Sequence, residues 1–210
     1  MSIAREGWIY IGVFLVAGVL CLALEFPALG IALLALGLFS SFFFRDPERT
    51  IPQDPHLVLS PADGRVLQVL PAPAGNPLGE GATQASIFLS IFDVHINRAP
   101  IGGRVAAFAY HPGAFLPAWD DKASLSNEQT AITIEDATGR VAFKQIAGLI
   151  ARRIVFKKRV DELVSAGERV GLIKFGSRVD VFVPQGVSLR IKPGDRVRGG
   201  SSVIAERPRS

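Results

Sequence analysis

Two uninterrupted apolar runs open the chain, Trp8 to Leu24 and Phe26 to Phe44, and the only charge between them is Glu25, beside Pro27. One straight helix over both would be about 55 Å long, against a hydrocarbon core of about 30 Å. It would also hold a carboxylate at mid-membrane, at a cost of at least ~2.5 kcal/mol. Both difficulties vanish if Glu25 and Pro27 form a turn at the far interface. The pattern therefore predicts a membrane-anchoring helical hairpin over 1–44, either as two short spans or as a shallow re-entrant loop. Arg5 flanks one end and Arg45 and Arg49 the other, so the excess of positive charge places both ends in the cytoplasm. The expected location is the cell's inner membrane, with the rest of the chain on the cytoplasmic side. A cleaved signal peptide fits poorly, because Gly18-Val19-Leu20 before Cys21 is a poor lipobox and a second apolar run follows at once.

After Phe44 the pattern changes. Arg45-Asp46-Pro47-Glu48-Arg49, with Pro52 and Pro55 behind it, reads as an extended linker. Short β-rich runs follow: Leu57–Leu59 and Val66–Val69 around an Ala62-Asp63-Gly64 turn, then Ala85–Ile91, then a strand from Gly103. Ala131–Glu135 and Val141–Ile146 alternate around Asp136-Ala137-Thr138-Gly139, the signature of a hairpin. Residues 71–82 read as a surface loop and Tyr110–Asn127 as irregular. The tail carries a faint repeat, Ala166-Gly167-Glu168-Arg169-Val170 echoed by Pro193-Gly194-Asp195-Arg196-Val197. These features predict one mostly-β domain over 45–210, a β-sandwich or barrel of biotinyl/lipoyl-like hairpin units with little helix.

Composition adds a few bounds. The chain has 210 residues, a formal charge of +4 and one cysteine, so an intrachain disulfide is excluded and a reducing compartment favoured. The positive balance suits an anionic surface. Arg152, Arg153, Lys157, Lys158 and Arg159 form the densest basic run, either a solvated face or a contact for anionic membrane lipids. It lacks the interleaved aromatics of a nucleic-acid reader, and no nucleic-acid partner is expected.

The candidate chemistry is sparse. Leu172-Ile173-Lys174-Phe175 and Val179-Asp180-Val181-Phe182-Val183 are strand-like runs separated by Gly176-Ser177-Arg178. Taken alone, a Gly-Ser pair there is a bulge or tight turn. It also offers a hydroxyl next to an unshielded glycine carbonyl, which becomes reactive if a base is near. Three histidines exist, His56, His95 and His111. His56 lies in the linker and His111 in a loop or pocket wall. His95 follows a strand end, with Asp93, Asn97 and Arg98 around it. Asp63 either caps its turn or orients a histidine from another strand. No His/Cys cluster has metal-ligand spacing, so no metal is expected.

Phe43-Phe44-Arg45-Asp46-Pro47, Ser60-Pro61-Ala62-Asp63-Gly64, Phe92-Asp93-Val94-His95-Ile96-Asn97-Arg98, Ala123 to Glu128 and Phe175-Gly176-Ser177-Arg178-Val179-Asp180 occur in that order. In this the chain resembles the short, membrane-associated phosphatidylserine decarboxylases over nearly its whole length. The resemblance implies autocatalytic cleavage between Gly176 and Ser177, driven by Asp63 and His95. It implies a covalent pyruvoyl cofactor derived from Ser177, and a heterodimer of a β chain, 1–176, with an α chain, 177–210. The implied reaction is decarboxylation of phosphatidylserine to phosphatidylethanolamine. Longer bacterial members carry two histidines near this place and a Leu-Gly-Ser-Thr type cleavage motif. Here Arg98 stands three residues after His95 and the motif is Phe-Gly-Ser-Arg, so His95 is open to a role in cleavage, in decarboxylation or in both.

Two other readings remain at this level. A membrane-tethered biotinyl/lipoyl-like carrier would use Lys122 in Asp121-Lys122-Ala123, and a structural module would use Gly176-Ser177 only as a bulge. A serine hydrolase lacks its Gly-x-Ser-x-Gly elbow around Ser177.

Overall fold

The computed structural model describes residues 2–120, 122–149, 153–174 and 176–209, divided into two compact units, Met1–Glu48 and Arg49–Ser210. Phe175 of the Phe-Gly-Ser-Arg motif, Asp121 beside Lys122 and Arg152 of the basic run lie outside the described residues.

The first unit is the helical hairpin that the apolar runs predict. Helices Trp8–Ala23 and Pro27–Phe43 are joined by a turn in which Glu25 takes a left-handed backbone (φ 62°) and Pro27 starts the second helix, where its missing N–H costs nothing. Gly18 and Gly30 let the helices touch, since a Cβ on Gly18 would lie 3.1 Å from the Gly30 carbonyl oxygen. Ser2–Ile3 pairs antiparallel with Arg45–Asp46 and closes the base of the hairpin. The stretch Arg5–Ala23 is long and apolar enough to cross a membrane, and Pro27–Phe43 is shorter.

The second unit is mostly β, and a curled, half-barrel sheet dominates it. Among the described residues this sheet has eight strands, in the order Leu163–Val164, Gly103–His111, Gln129–Asp136, Gly139–Ile146, Ser177–Val183, Thr83–Leu89, Gly64–Pro71 and Arg196–Val197. Every pairing is antiparallel. Two three-stranded sheets cover one face of it: Ile154–Phe156, Arg169–Ile173 and Ile96–Arg98 form one, and Ser188–Leu189, Val203–Glu206 and Leu57–Leu59 the other. Between them lies the core, to which the central strand contributes Val179, Val181 and Val183. Side chains alternate along a strand, so Arg178, Asp180 and Phe182 face the other way.

Both copies of the tail repeat turn at a left-handed glycine, Gly167 (φ 73°) and Gly194 (φ 95°). The strands that follow then diverge. Arg169–Ile173 joins a small sheet, whereas Arg196–Val197 ends the large one. For the site, the crossing point matters most. The chain leaves the Arg169–Ile173 strand of a small sheet and enters the central strand of the large sheet at Ser177, and His95 stands at the start of the neighbouring Ile96–Arg98 strand.

Candidate active site

Gly176 makes the crossing between sheets with φ 63°, a conformation that side-chain-bearing residues rarely adopt. Its amide N–H donates to Nε2 of His95 at 3.3 Å. The other ring nitrogen, Nδ1, lies 3.0 Å from the backbone carbonyl of Asp93. A carbonyl only accepts, so Nδ1 carries the proton and Nε2 presents its lone pair to the Gly176–Ser177 segment. The Ser90–Asp93 turn sets this geometry: the Asp93 carboxylate accepts from both the amide and the hydroxyl of Ser90 at 2.8 Å, and the Asp93 amide donates to the Ser90 carbonyl at 2.9 Å. His95 itself is 2% exposed.

Ser177 is completely buried, and its Oγ finds no hydrogen-bond partner among the described residues. Burying an unsatisfied hydroxyl costs about 1–3 kcal/mol, so folded proteins rarely leave one in this state outside functional sites. The preceding carbonyl is tightly confined. A Cβ built on Gly148 would lie 2.4 Å from the Gly176 oxygen, so only glycine fits at 148 with this peptide in place.

Asp63 reaches the same end of the sheet but does so through other partners. Its carboxylate pairs with Arg49 at 2.7 Å and accepts the Gly199 amide at 2.8 Å. It lines one cavity together with Asp93, Arg196, Arg198 and Ser202. Burial pushes the Asp63 carboxyl above its ordinary value of 3.8, while the Gly199 amide and Arg49 pull the other way and the Asp93 charge adds to the rise. Asp63 therefore approaches the His95 turn from the Asp93 side. His56 lies 3.2 Å from the Pro208 carbonyl, far along the chain from Gly176, and His111 lines a separate polar cavity with Lys144 and Asp180.

Directly after Ser177 a buried ionic network ties the strand down. Arg178 donates to Asp180 at 2.7 Å, to Ser86 at 2.7 Å and to the Asp120 carbonyl at 3.4 Å. Asp180 also accepts from Gln84 at 2.9 Å and from Ser124 at 2.5 Å. The covering segment that supplies Asp120 and Ser124 carries Ala118 and Trp119 as well. These two, with Phe88, Ser90, Ile91, Phe92 and Leu149, line a largely apolar cavity of about 230 Å³ that opens onto Gly176. Neither this cavity nor Gly148 is legible in the sequence, where their residues are scattered over four segments.

The basic run is partly neutralised, because Lys158 pairs with Glu162 and Glu168, each at 2.7 Å. Lys122 directly precedes the short helix Ala123–Ser126, so it does not occupy the hairpin tip that a carrier lysine requires.

The phosphatidylserine decarboxylase family matches residues 36–205. A relative from Symbiobacterium thermophilum is 46% identical over 207 residues, covering 98% of this chain and 96% of its own. One from Solibacter usitatus is 45% identical over 207 residues, with 99% and 98% covered. A third, from Pelobacter propionicus, is 44% identical over 211 residues, with 96% and 95% covered. Each of the three is named phosphatidylserine decarboxylase proenzyme.

Proposed function

Because this chain belongs to the phosphatidylserine decarboxylase family, we propose that it cleaves itself between Gly176 and Ser177 and then decarboxylates phosphatidylserine to phosphatidylethanolamine. The observation that carries the reading is the state of the peptide itself. A buried serine hydroxyl, without a partner among the described residues, follows a left-handed glycine whose N–H is held by the lone pair of His95.

In the first step Oγ of Ser177 bonds to the carbonyl carbon of Gly176. His95 takes the hydroxyl proton and returns it to the departing amide nitrogen, leaving an ester in place of the peptide. Removal of the Ser177 Cα proton then breaks the Cβ–Oγ bond and releases Gly176 as a carboxylate. Water displaces the α-nitrogen of residue 177 as ammonia, which leaves a ketone on the new chain end. Asp63, whose carboxyl burial raises above 3.8, supports the proton movements from the Asp93 side.

The residues at 177 fit a pyruvoyl group: the side chain is small, fully enclosed and adjacent to an apolar cavity, so a three-carbon keto-acyl end replaces it without new volume. Such a group supplies the electron sink for loss of CO₂ from an amino acid headgroup. The chain's own residues contribute position. His95, whose Nε2 accepts the Gly176 amide beside that chain end, would return the proton to the substrate carbon, and the largely apolar lining of the cavity beside Gly176 disfavours water there.

The products, 1–176 and 177–210, remain together as a heterodimer. Ser177–Val183 is hydrogen-bonded on both sides by strands of the first product, Val203–Glu206 pairs with Leu57–Leu59, and Arg207 makes two bonds to Asp136 at 2.7 Å. The hairpin of the first unit anchors the enzyme in the inner membrane, with Arg5, Arg45 and Arg49 keeping the catalytic domain cytoplasmic. The direct test supplies vesicles of carboxyl-labelled phosphatidylserine. The protein should release labelled CO₂ and accumulate phosphatidylethanolamine, and Ser177→Ala should do neither; release by Ser177→Ala at the unmodified rate would refute the proposal.

A further inference from the structure

The cavity at Gly176 has an unusual mouth. Phe92 is 64% exposed, Trp119 63% and Leu149 56%, and they come from three separate segments. Single exposed apolar residues are ordinary on a protein surface, but three large ones converging on the rim of one cavity are not. The cavity holds about 230 Å³. Pockets that enclose a drug-sized ligand run from about 300 to 1,000 Å³, so a two-chain phospholipid cannot be drawn inside.

We propose that Phe92, Trp119 and Leu149 form a membrane-docking face, which rests on an anionic bilayer and admits only the headgroup of a phospholipid whose acyl chains stay in the lipid. The inference rests on the decarboxylase reading for the identity of that lipid. Counted over these segments and the neighbouring Arg196, the sequence sets Lys122, Arg152, Arg153 and Arg196 against Asp93, Asp120 and Asp121, an excess of one positive charge that suits such a surface. Lys122 and Arg153 are exposed beyond Trp119 and Leu149, and Arg196 is exposed beside Asp93. Among the described residues the acidic groups there have partners: the Asp120 carboxylate accepts the Lys122 amide, and the Asp93 carboxylate accepts from Ser90 and lies 3.9 Å from Arg196. Tryptophan suits the position, having an apolar body and one N–H donor for the headgroup layer. A hairpin anchor fixes the protein to the bilayer without deciding which face of the catalytic domain meets it. The apolar rim decides that.

The chain's two tryptophans make the test simple, because Trp8→Phe in the full-length protein leaves Trp119 as the sole tryptophan. The variant is reconstituted into phosphatidylserine/phosphatidylcholine vesicles with brominated acyl chains, and its CO₂ release is measured on the same vesicles. Trp119 emission should shift to the blue and be quenched at least twofold, more strongly by bromines near the headgroup than by those near the chain ends. Phe92→Ser with Leu149→Ser, assayed per mole of self-cleaved protein, should raise the apparent KM for vesicle phosphatidylserine at least fivefold with kcat changed far less. Unquenched Trp119 in vesicle-bound protein that releases CO₂ overturns the docking face and spares the decarboxylase reading. Quenched Trp119 in self-cleaved protein that releases no CO₂ supports docking and removes the decarboxylase reading instead. Emission that follows protein density rather than bromine content identifies a second copy as the occupant and also overturns the proposal.

Discussion

The Gly176 amide donates to Nε2 of His95 at 3.3 Å while the Asp93 carbonyl holds Nδ1 of the same ring at 3.0 Å, so one imidazole is fixed between a backbone oxygen and the amide that immediately precedes the peptide proposed for cleavage. A base placed in this way contributes about 10²–10⁴-fold to a proton-transfer step. His95→Ala should slow self-cleavage by about that factor while the domain stays folded, as followed by the appearance of the small chain on a denaturing gel. Cleavage at the unmodified rate would remove His95 from the mechanism.

Gly148 stands directly against the Gly176 carbonyl. An alanine there would bring its Cβ to 2.4 Å from the Gly176 oxygen, well inside contact distance, so the peptide must move. Misplacement by about 1 Å commonly costs on the order of 10²-fold in rate. Gly148→Ala should therefore accumulate uncleaved chain with a near-normal circular dichroism spectrum, and rapid processing would show that the carbonyl is not held there.

The Asp63 carboxyl gives a pH signature. Its desolvation raises the folded-state pKa above 3.8, against the pull of the Gly199 amide and Arg49. A group whose pKa rises on folding binds its proton more tightly in the folded chain. Its contribution to stability is therefore complete in acid below 3.8, and is lost as pH climbs through the raised folded value. If Asp63 must be ionised for cleavage, the acid limb of the cleavage rate lies above 3.8. Arg49→Met removes a lowering influence and should move that limb to higher pH, whereas Asp63→Asn should abolish it. A limb unmoved by Arg49→Met would separate Asp63 from the proton chemistry.

Arg178 and Asp180 are both buried, and each completes the other's charge. Removing one member of a buried pair leaves an uncompensated charge, at a cost of about 3–5 kcal/mol. Asp180→Ala should show that loss in urea unfolding of the folded precursor, and it should also free Ser124 and the segment carrying Trp119. A loss below about 1 kcal/mol would mean that water reaches Arg178.

Much of this fold is legible in the chain. The hairpin is written in two apolar runs broken by Glu25 and Pro27, and the strand pattern from Leu57 to Val183 follows alternation and turn residues. The mostly-β domain follows from that pattern. What escapes is carried by backbone or by distant segments. His95 is aimed by a carbonyl of Asp93, and carbonyls have no sequence signature. Gly148 matters for the atom it lacks, and nothing around it in Ala147-Gly148-Leu149 marks that need. Alternation along Arg178-Val179-Asp180-Val181 separates two faces, but the contacts that Asp120 and Ser124 make to Arg178 and Asp180 come from a distant segment and leave no mark in it. Asp63 reads as a possible orienter of histidine, and its engagement by Arg49 depends on how the linker returns over the turn.

Ser177 is proposed to be consumed in making the enzyme's own cofactor. Intact mass measurement of the purified wild-type protein under denaturing conditions tests it most directly. Two species are expected, 1–176 with a free carboxylate at Gly176 and 177–210 carrying a keto-acyl group in place of serine, the latter gaining two hydrogens on borohydride reduction. A single unbroken chain in a preparation that decarboxylates phosphatidylserine would contradict it.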